Sequence, residues 1–164
     1  MYIWGDYMQN YTSVFTSYPA AFAVINGRGK YSDVYARVNF YQKNDRVIVA
    51  TWAEGLPVTE CGSGVFGFHI HSGVSCTGNE EDIYADALTH YNPKGCLHPY
   101  HAGDMPPLFG ENGEAFSAFM TKRFTIDEII GKTIIIHSSP DDFTTQPSGN
   151  SGEKIACGII RKTS

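Results

Sequence analysis

More than thirty residues, from just after His71 to about Met105, carry no periodic pattern of apolar side chains, yet patterned segments flank them on both sides. Loops of that length are uncommon inside a compact domain and are usually functional. This one holds His90, His98 and His101 together with Cys76 and Cys96. The flanking segments read as short β-strands: residues 22–25, 34–40 with alternating apolar positions, 47–52, 66–71, 115–120, 133–137 and 155–160. Asn26-Gly27, Lys43-Asn44-Asp45 and the strong hairpin signal Asn112-Gly113 are the turns. Residues 125–130 predict one helical turn, because Thr125 followed by Glu128 matches a capping box and Gly131 can end it. A second long loop covers 141–152. The expectation is an all-β domain, a Greek-key β-sandwich or barrel of immunoglobulin-like type with about eight antiparallel strands, covering residues 20–164. Residues 1–19, rich in Tyr, Ser, Thr and Asn, read as an irregular N-terminal arm.

Composition narrows the function classes. At 164 residues and 42% hydrophobic, the chain suits one domain with one core. Its longest comparable apolar run, Ile134-Ile135-Ile136, is far short of a membrane span. With Lys+Arg 12 against Asp+Glu 17 and no basic cluster, it lacks the footprint of a nucleic-acid binder. The start, Met-Tyr-Ile-Trp-Gly-Asp, has no basic segment followed by an apolar one. The chain as given therefore points to the cytoplasm, and to an extracytoplasmic site if a leader has been removed.

His69-Ile70-His71 lies on an expected strand, where side chains at i and i+2 project to one face, so both imidazoles can reach one metal. Alone, such a pair is ordinary. The long loop adds His90, His98, His101 and Asp104, three imidazoles and a carboxylate that suit tetrahedral zinc. A metal would also give so long an irregular segment a reason to be ordered. His137, at the end of its strand, is the sixth and last histidine.

Taken together these residues resemble the copper/zinc superoxide dismutase family, in its bacterial form. Gly67-Phe68-His69-Ile70-His71 is similar to the family's copper-binding strand, and Thr89-His90-Tyr91-Asn92-Pro93 to the segment bearing its bridging histidine. His98, His101, Ala102, Gly103 and Asp104 resemble the zinc-ligand run, with a shorter span from His98 to His101 than in many members. His137 with Asp141-Asp142, and Gly149-Asn150-Ser151-Gly152 through Ala156-Cys157-Gly158, resemble the remaining signatures. The resemblance covers about residues 20–160.

It implies copper on His69, His71, His90 and His137, and zinc on His90, His98, His101 and Asp104, with His90 shared between the metals and acting as a proton donor. It implies an enzyme that converts superoxide to oxygen and hydrogen peroxide, with Asp141 accepting imidazole N–H groups of His69 and His98. The competing reading is a copper carrier or structural zinc protein on the same scaffold with little turnover. Where the family carries an arginine four residues before Gly158, this chain has Lys154, which keeps the charge but loses the fork of donors. Four cysteines allow three pairings. The resemblance selects Cys76 with Cys157 and leaves Cys61 with Cys96 as a candidate second bridge. It also leaves a homodimer open.

Overall fold

The computed structural model describes residues 15–164, so most of the expected N-terminal arm lies outside the described residues. The described residues form ten strands: β1 Ala21–Gly27, β2 Tyr35–Lys43, β3 Arg46–Glu54, β4 Ser63–Phe66, β5 Phe68–His71, β6 Leu108–Glu111, β7 Glu114–Thr121, β8 Thr133–His137, β9 Lys154–Ile159 and β10 Arg161–Lys162. One short helix, α1 Ile126–Ile129, follows β7. Alternation decides which side of each strand is covered. Ala21, Ala23 and Ile25 of β1, Ala36, Val38 and Phe40 of β2, and Val47, Val49 and Ala53 of β3 all enter one core. Two-residue turns join β2 to β3 and β6 to β7, where Lys43 faces Arg46 and Glu111 faces Glu114. In the second turn Asn112 and Gly113 both have positive φ, the backbone that an Asn-Gly hairpin adopts with least strain.

All strand pairs are antiparallel, in the order β4-β6-β7-β3-β2-β1-β9-β8-β5, with β10 beside β1. The two ends of this sheet, β4 and β5, are consecutive in the chain and separated by Gly67 alone. The sheet must therefore curl until its edges meet, which produces a nearly closed barrel around Phe40, Phe68, Ile70, Ile134 and Ile136. At the seam there is no room for a side chain: a Cβ on Gly67 would lie 2.8 Å from Cβ of Ser151.

The barrel corrects the expected strand count. The segment 66–71 is divided at Gly67 because its first residue pairs with β6 and its last four with β8. Strands β6 and β10 were not expected; both are short, and β10 is exposed on both of its residues. Helix α1 forms as expected, with the Glu128 carboxylate accepting the Thr125 N–H at 2.6 Å and Ile126 and Ile129 buried beneath it.

Cys76 and Cys157 are bridged, with Cα atoms 5.7 Å apart and a sequence separation of 81, which ties the long loop to β9. The candidate second bridge is not formed: Cys61 and Cys96 are both free. Cys61 is exposed in the turn before β4, whereas Cys96 is held in the long loop by paired backbone bonds to the Asn92 amide, at 2.8 and 2.9 Å. Replacing Cys76 and Cys157 by serine should lower unfolding free energy by about 4 kcal/mol on the chain-entropy estimate. Denaturant unfolding checks this, and an unchanged midpoint would show that the bridge does not constrain the unfolded chain.

Candidate metal centre

Strand β5 is paired on both edges, and this places the site. One edge pairs with β8, setting His69 opposite Ile135 and His71 opposite Thr133. The other edge holds the long loop: Tyr91 N–H donates to Ile70 O at 2.8 Å, Ile70 N–H to Gly103 O at 2.9 Å, and Gly103 N–H to Tyr91 O at 2.8 Å. Isolated bridges set His69 opposite Asp104 and His71 opposite His90. Cross-strand partners share a face, so four of the ligating side chains converge. The approach depends on Gly103, where a Cβ would sit 2.2 Å from Ile70 O. His137 lies two residues beyond Ile135 on β8, hence on the same face as His69, at a register shift against β9.

Two ligand groups result. The ligating atoms of His69, His71, His90 and His137 lie within 4.8 Å of one another, and so do those of His90, His98, His101 and Asp104. All seven residues are buried. Among the described residues, the buried side-chain atoms without a hydrogen-bond partner include four ring nitrogens: His69 Nδ1, His90 Nε2, His98 Nδ1 and His101 Nδ1. Each belongs to one of the two groups. His98 Nδ1 and His101 Nδ1 lie 3.1 and 3.4 Å from Asp104 Oδ2. Zinc–ligand bonds of about 2.0–2.1 Å in a tetrahedron give ligand separations of about 3.3 Å, so these atoms are spaced as one zinc shell requires.

The opposite ring nitrogens explain the aim. His69 Nε2 and His98 Nε2 donate to the two oxygens of Asp141, at 2.9 and 2.7 Å, leaving both Nδ1 lone pairs for metal. His71 Nδ1 donates to Leu88 O at 2.8 Å and His137 Nδ1 to Gly152 O at 3.4 Å, so their Nε2 lone pairs face each other across 3.3 Å. Two lone pairs at that distance repel unless a cation lies between them. His90 is the shared residue: its Nδ1 is 2.7 Å from Asp104 Oδ1 in one group, and its unpartnered Nε2 belongs to the other. The residues therefore fit copper and zinc.

Burial, reinforced by neighbouring rings, pushes His71 and His137 well below the ordinary imidazole range, and burial also lowers His69 and His101. They stay neutral at neutral pH, as ligands must. Burial alone would raise Asp141, but bonds from His69, the Phe143 N–H and His98 outweigh it and hold the carboxyl far below its usual range.

Three supporting residues were not anticipated. The Gln146 side chain donates to His98 O at 2.8 Å and accepts the His98 N–H at 2.9 Å, fastening the second loop to the first. Arg123 donates to the carbonyls of Asp104 at 2.9 Å and Pro99 at 3.1 Å. Asp82 accepts from Lys154 Nζ at 2.6 Å. These contacts join residues distant in sequence, and no local pattern marks them. Gly149, inside a segment that the sequence did single out, has positive φ, and a Cβ there would sit 2.0 Å from Asp141 Oδ1. Lys154 lines, with His71, His90, His101 and His137, a cavity of about 1000 Å³.

Comparison with known proteins agrees with this geometry. Residues 34–160 match the family model described as copper/zinc superoxide dismutase. The chain is 30% identical over 153 residues to the Cu-Zn superoxide dismutase 2 of Aquifex aeolicus (strain VF5), covering 84% of each protein. It is 35% identical over 112 residues to the Cu-Zn superoxide dismutase of Photobacterium leiognathi, covering 60% of this chain and 65% of that one. A third relative, the Cu-Zn superoxide dismutase of Legionella pneumophila, is 30% identical over 133 residues, 76% of each. With two complete buried ligand groups sharing His90, and a match that spans most of the barrel and both loops, the chain belongs to the copper/zinc superoxide dismutase family.

Proposed function

We propose that this protein dismutes superoxide to oxygen and hydrogen peroxide, with copper on His69, His71, His90 and His137 and zinc on His90, His98, His101 and Asp104. The observation that carries the reading is His90, whose two ring nitrogens belong one to each ligand group. Copper supplies one-electron redox chemistry and zinc a fixed positive charge that does not change oxidation state. The protein does the rest. His90 Nε2, buried and without another partner, is the atom able to take up a proton when it is not engaged and to pass it to the reduced substrate. Asp141 holds His69 and His98 in their tautomers, and the Leu88 and Gly152 carbonyls do the same for His71 and His137. Lys154, with Arg28 and Lys30, is one of the cations on the cavity wall that an incoming anion meets.

We also propose that two copies pair. Trp52, Phe109 and Phe116 are 55%, 72% and 63% exposed, and the Trp52 and Phe116 rings lie 6.2 Å apart on the outer surface of β3 and β7. Exposed aromatic clusters of this kind mark interaction surfaces.

Loaded with both metals, purified protein should contain one copper and one zinc per chain and consume superoxide generated by pulse radiolysis; zinc alone, with no turnover, would favour the carrier or structural reading. Asp141→Ala should weaken zinc binding by roughly 10–100-fold, measured by competition with a chromophoric chelator. Undiminished affinity would remove Asp141 from the support of the site. Sedimentation velocity should give a dimer that Phe116→Glu converts to monomer, and a monomeric parent protein would sink the pairing.

A further inference from the structure

Of the cations lining the cavity, Arg28, Lys30 and Lys154, the last is already held by a carboxylate. Lys154 Nζ donates to Asp82 Oδ2 at 2.6 Å and to Tyr84 O at 3.2 Å. The partner is itself held in place: Asp82 Oδ1 accepts the Tyr84 N–H at 2.9 Å, and the Asp82 N–H donates to Asn79 Oδ1 at 2.9 Å. The Lys154 side chain is 15% exposed and that of Asp82 is 40% exposed, so one end of the pair is substantially shielded from water. Charges so placed are screened less by salt than an exposed surface pair. Both residues line the same cavity as His71 and His137.

Resting on the dismutase reading, we propose that Asp82 sets the cavity's affinity for its anionic substrate by neutralising Lys154 and anchoring it to the wall. At Lys154 an approaching anion meets an ion pair, a dipole whose field falls off faster than that of a single charge. To be contacted by Lys154, the anion must compete with a carboxylate that is covalently part of the protein and fixed by a hydrogen bond from the Tyr84 N–H. The net charge of −5 gives no compensating long-range attraction. Asp82 is thus a positioning residue that acts through Lys154, and it restrains the rate of anion entry.

The test uses the copper- and zinc-loaded protein and two readouts, azide titration followed by the copper(II) absorption band, and the second-order rate of superoxide loss against ionic strength. Asp82→Asn removes the negative charge and frees Lys154. Azide should bind roughly three- to ten-fold more tightly at about 10 mM ionic strength, where the Debye length is about 30 Å, and the advantage should shrink towards 1 M salt. The superoxide rate should rise in parallel with a steeper salt dependence. Asp82→Glu, which keeps the charge, should restore parental behaviour, and the gain should disappear in the double variant Asp82→Asn/Lys154→Gln. Unchanged or weaker azide binding in Asp82→Asn, at parental metal content, would overturn the proposal, as would a gain that survives loss of Lys154. Azide binding does not require turnover, so a parent that binds azide but leaves superoxide intact would defeat the dismutase reading while the assignment of Asp82 is still decided by its own variants.

Discussion

Four buried imidazole nitrogens with no hydrogen-bond partner set the terms for the rest of the structure. Each unmet polar atom in such surroundings costs roughly 1–3 kcal/mol, and the facing Nε2 atoms of His71 and His137 add repulsion. A chain would not converge on this arrangement for stability alone. Metal ions turn every one of these liabilities into a bond, so the ligand groups are understood as a cost that the surrounding fold carries until the ions arrive.

The fold carries it by joining the site to well-packed elements. His69 and His71 alternate along β5 with Phe68 and Ile70, both fully buried in the core, so the strand that presents the ligands is also one that the barrel interior fixes. β8 contributes in the same way: Ile134 and Ile136 face inward while His137 lies on the opposite face. The long loop has no ladder of its own and borrows the free edge of β5, the Arg123 side chain and the disulfide to β9. Rigid placement of this kind holds the ligand atoms at metal-shell spacing.

Much of this was legible from the residue pattern. The alternation in β1 to β3, the Asn112-Gly113 turn, the Thr125 to Glu128 capping box and the span of β8 all follow from local chemistry that the structure reproduces. The ligand groups were legible because histidines at i and i+2 on a strand and a cluster in an unpatterned loop are both rare, and the family resemblance joined them. The break at Gly67 was not, since Phe66-Gly67-Phe68 continues an alternating run and only the curl of the whole sheet sends its two halves to opposite edges. Asp82 was hidden for a related reason: it meets Lys154 from 72 residues away, and nothing near either residue announces the other. The pairing of Cys61 with Cys96 was a possibility left open by the cysteine count, and both thiols are free in the structure.

The central claim is that His90 serves both metals at once through its two nitrogens. Electron paramagnetic resonance of protein carrying copper(II) in the first group and cobalt(II) in the second tests it directly, because an imidazolate shared by two paramagnetic ions couples their spins. The account predicts that the copper(II) signal seen with zinc is lost when cobalt takes its place. An unaltered copper(II) spectrum, with both ions shown by elemental analysis to be present, would contradict it.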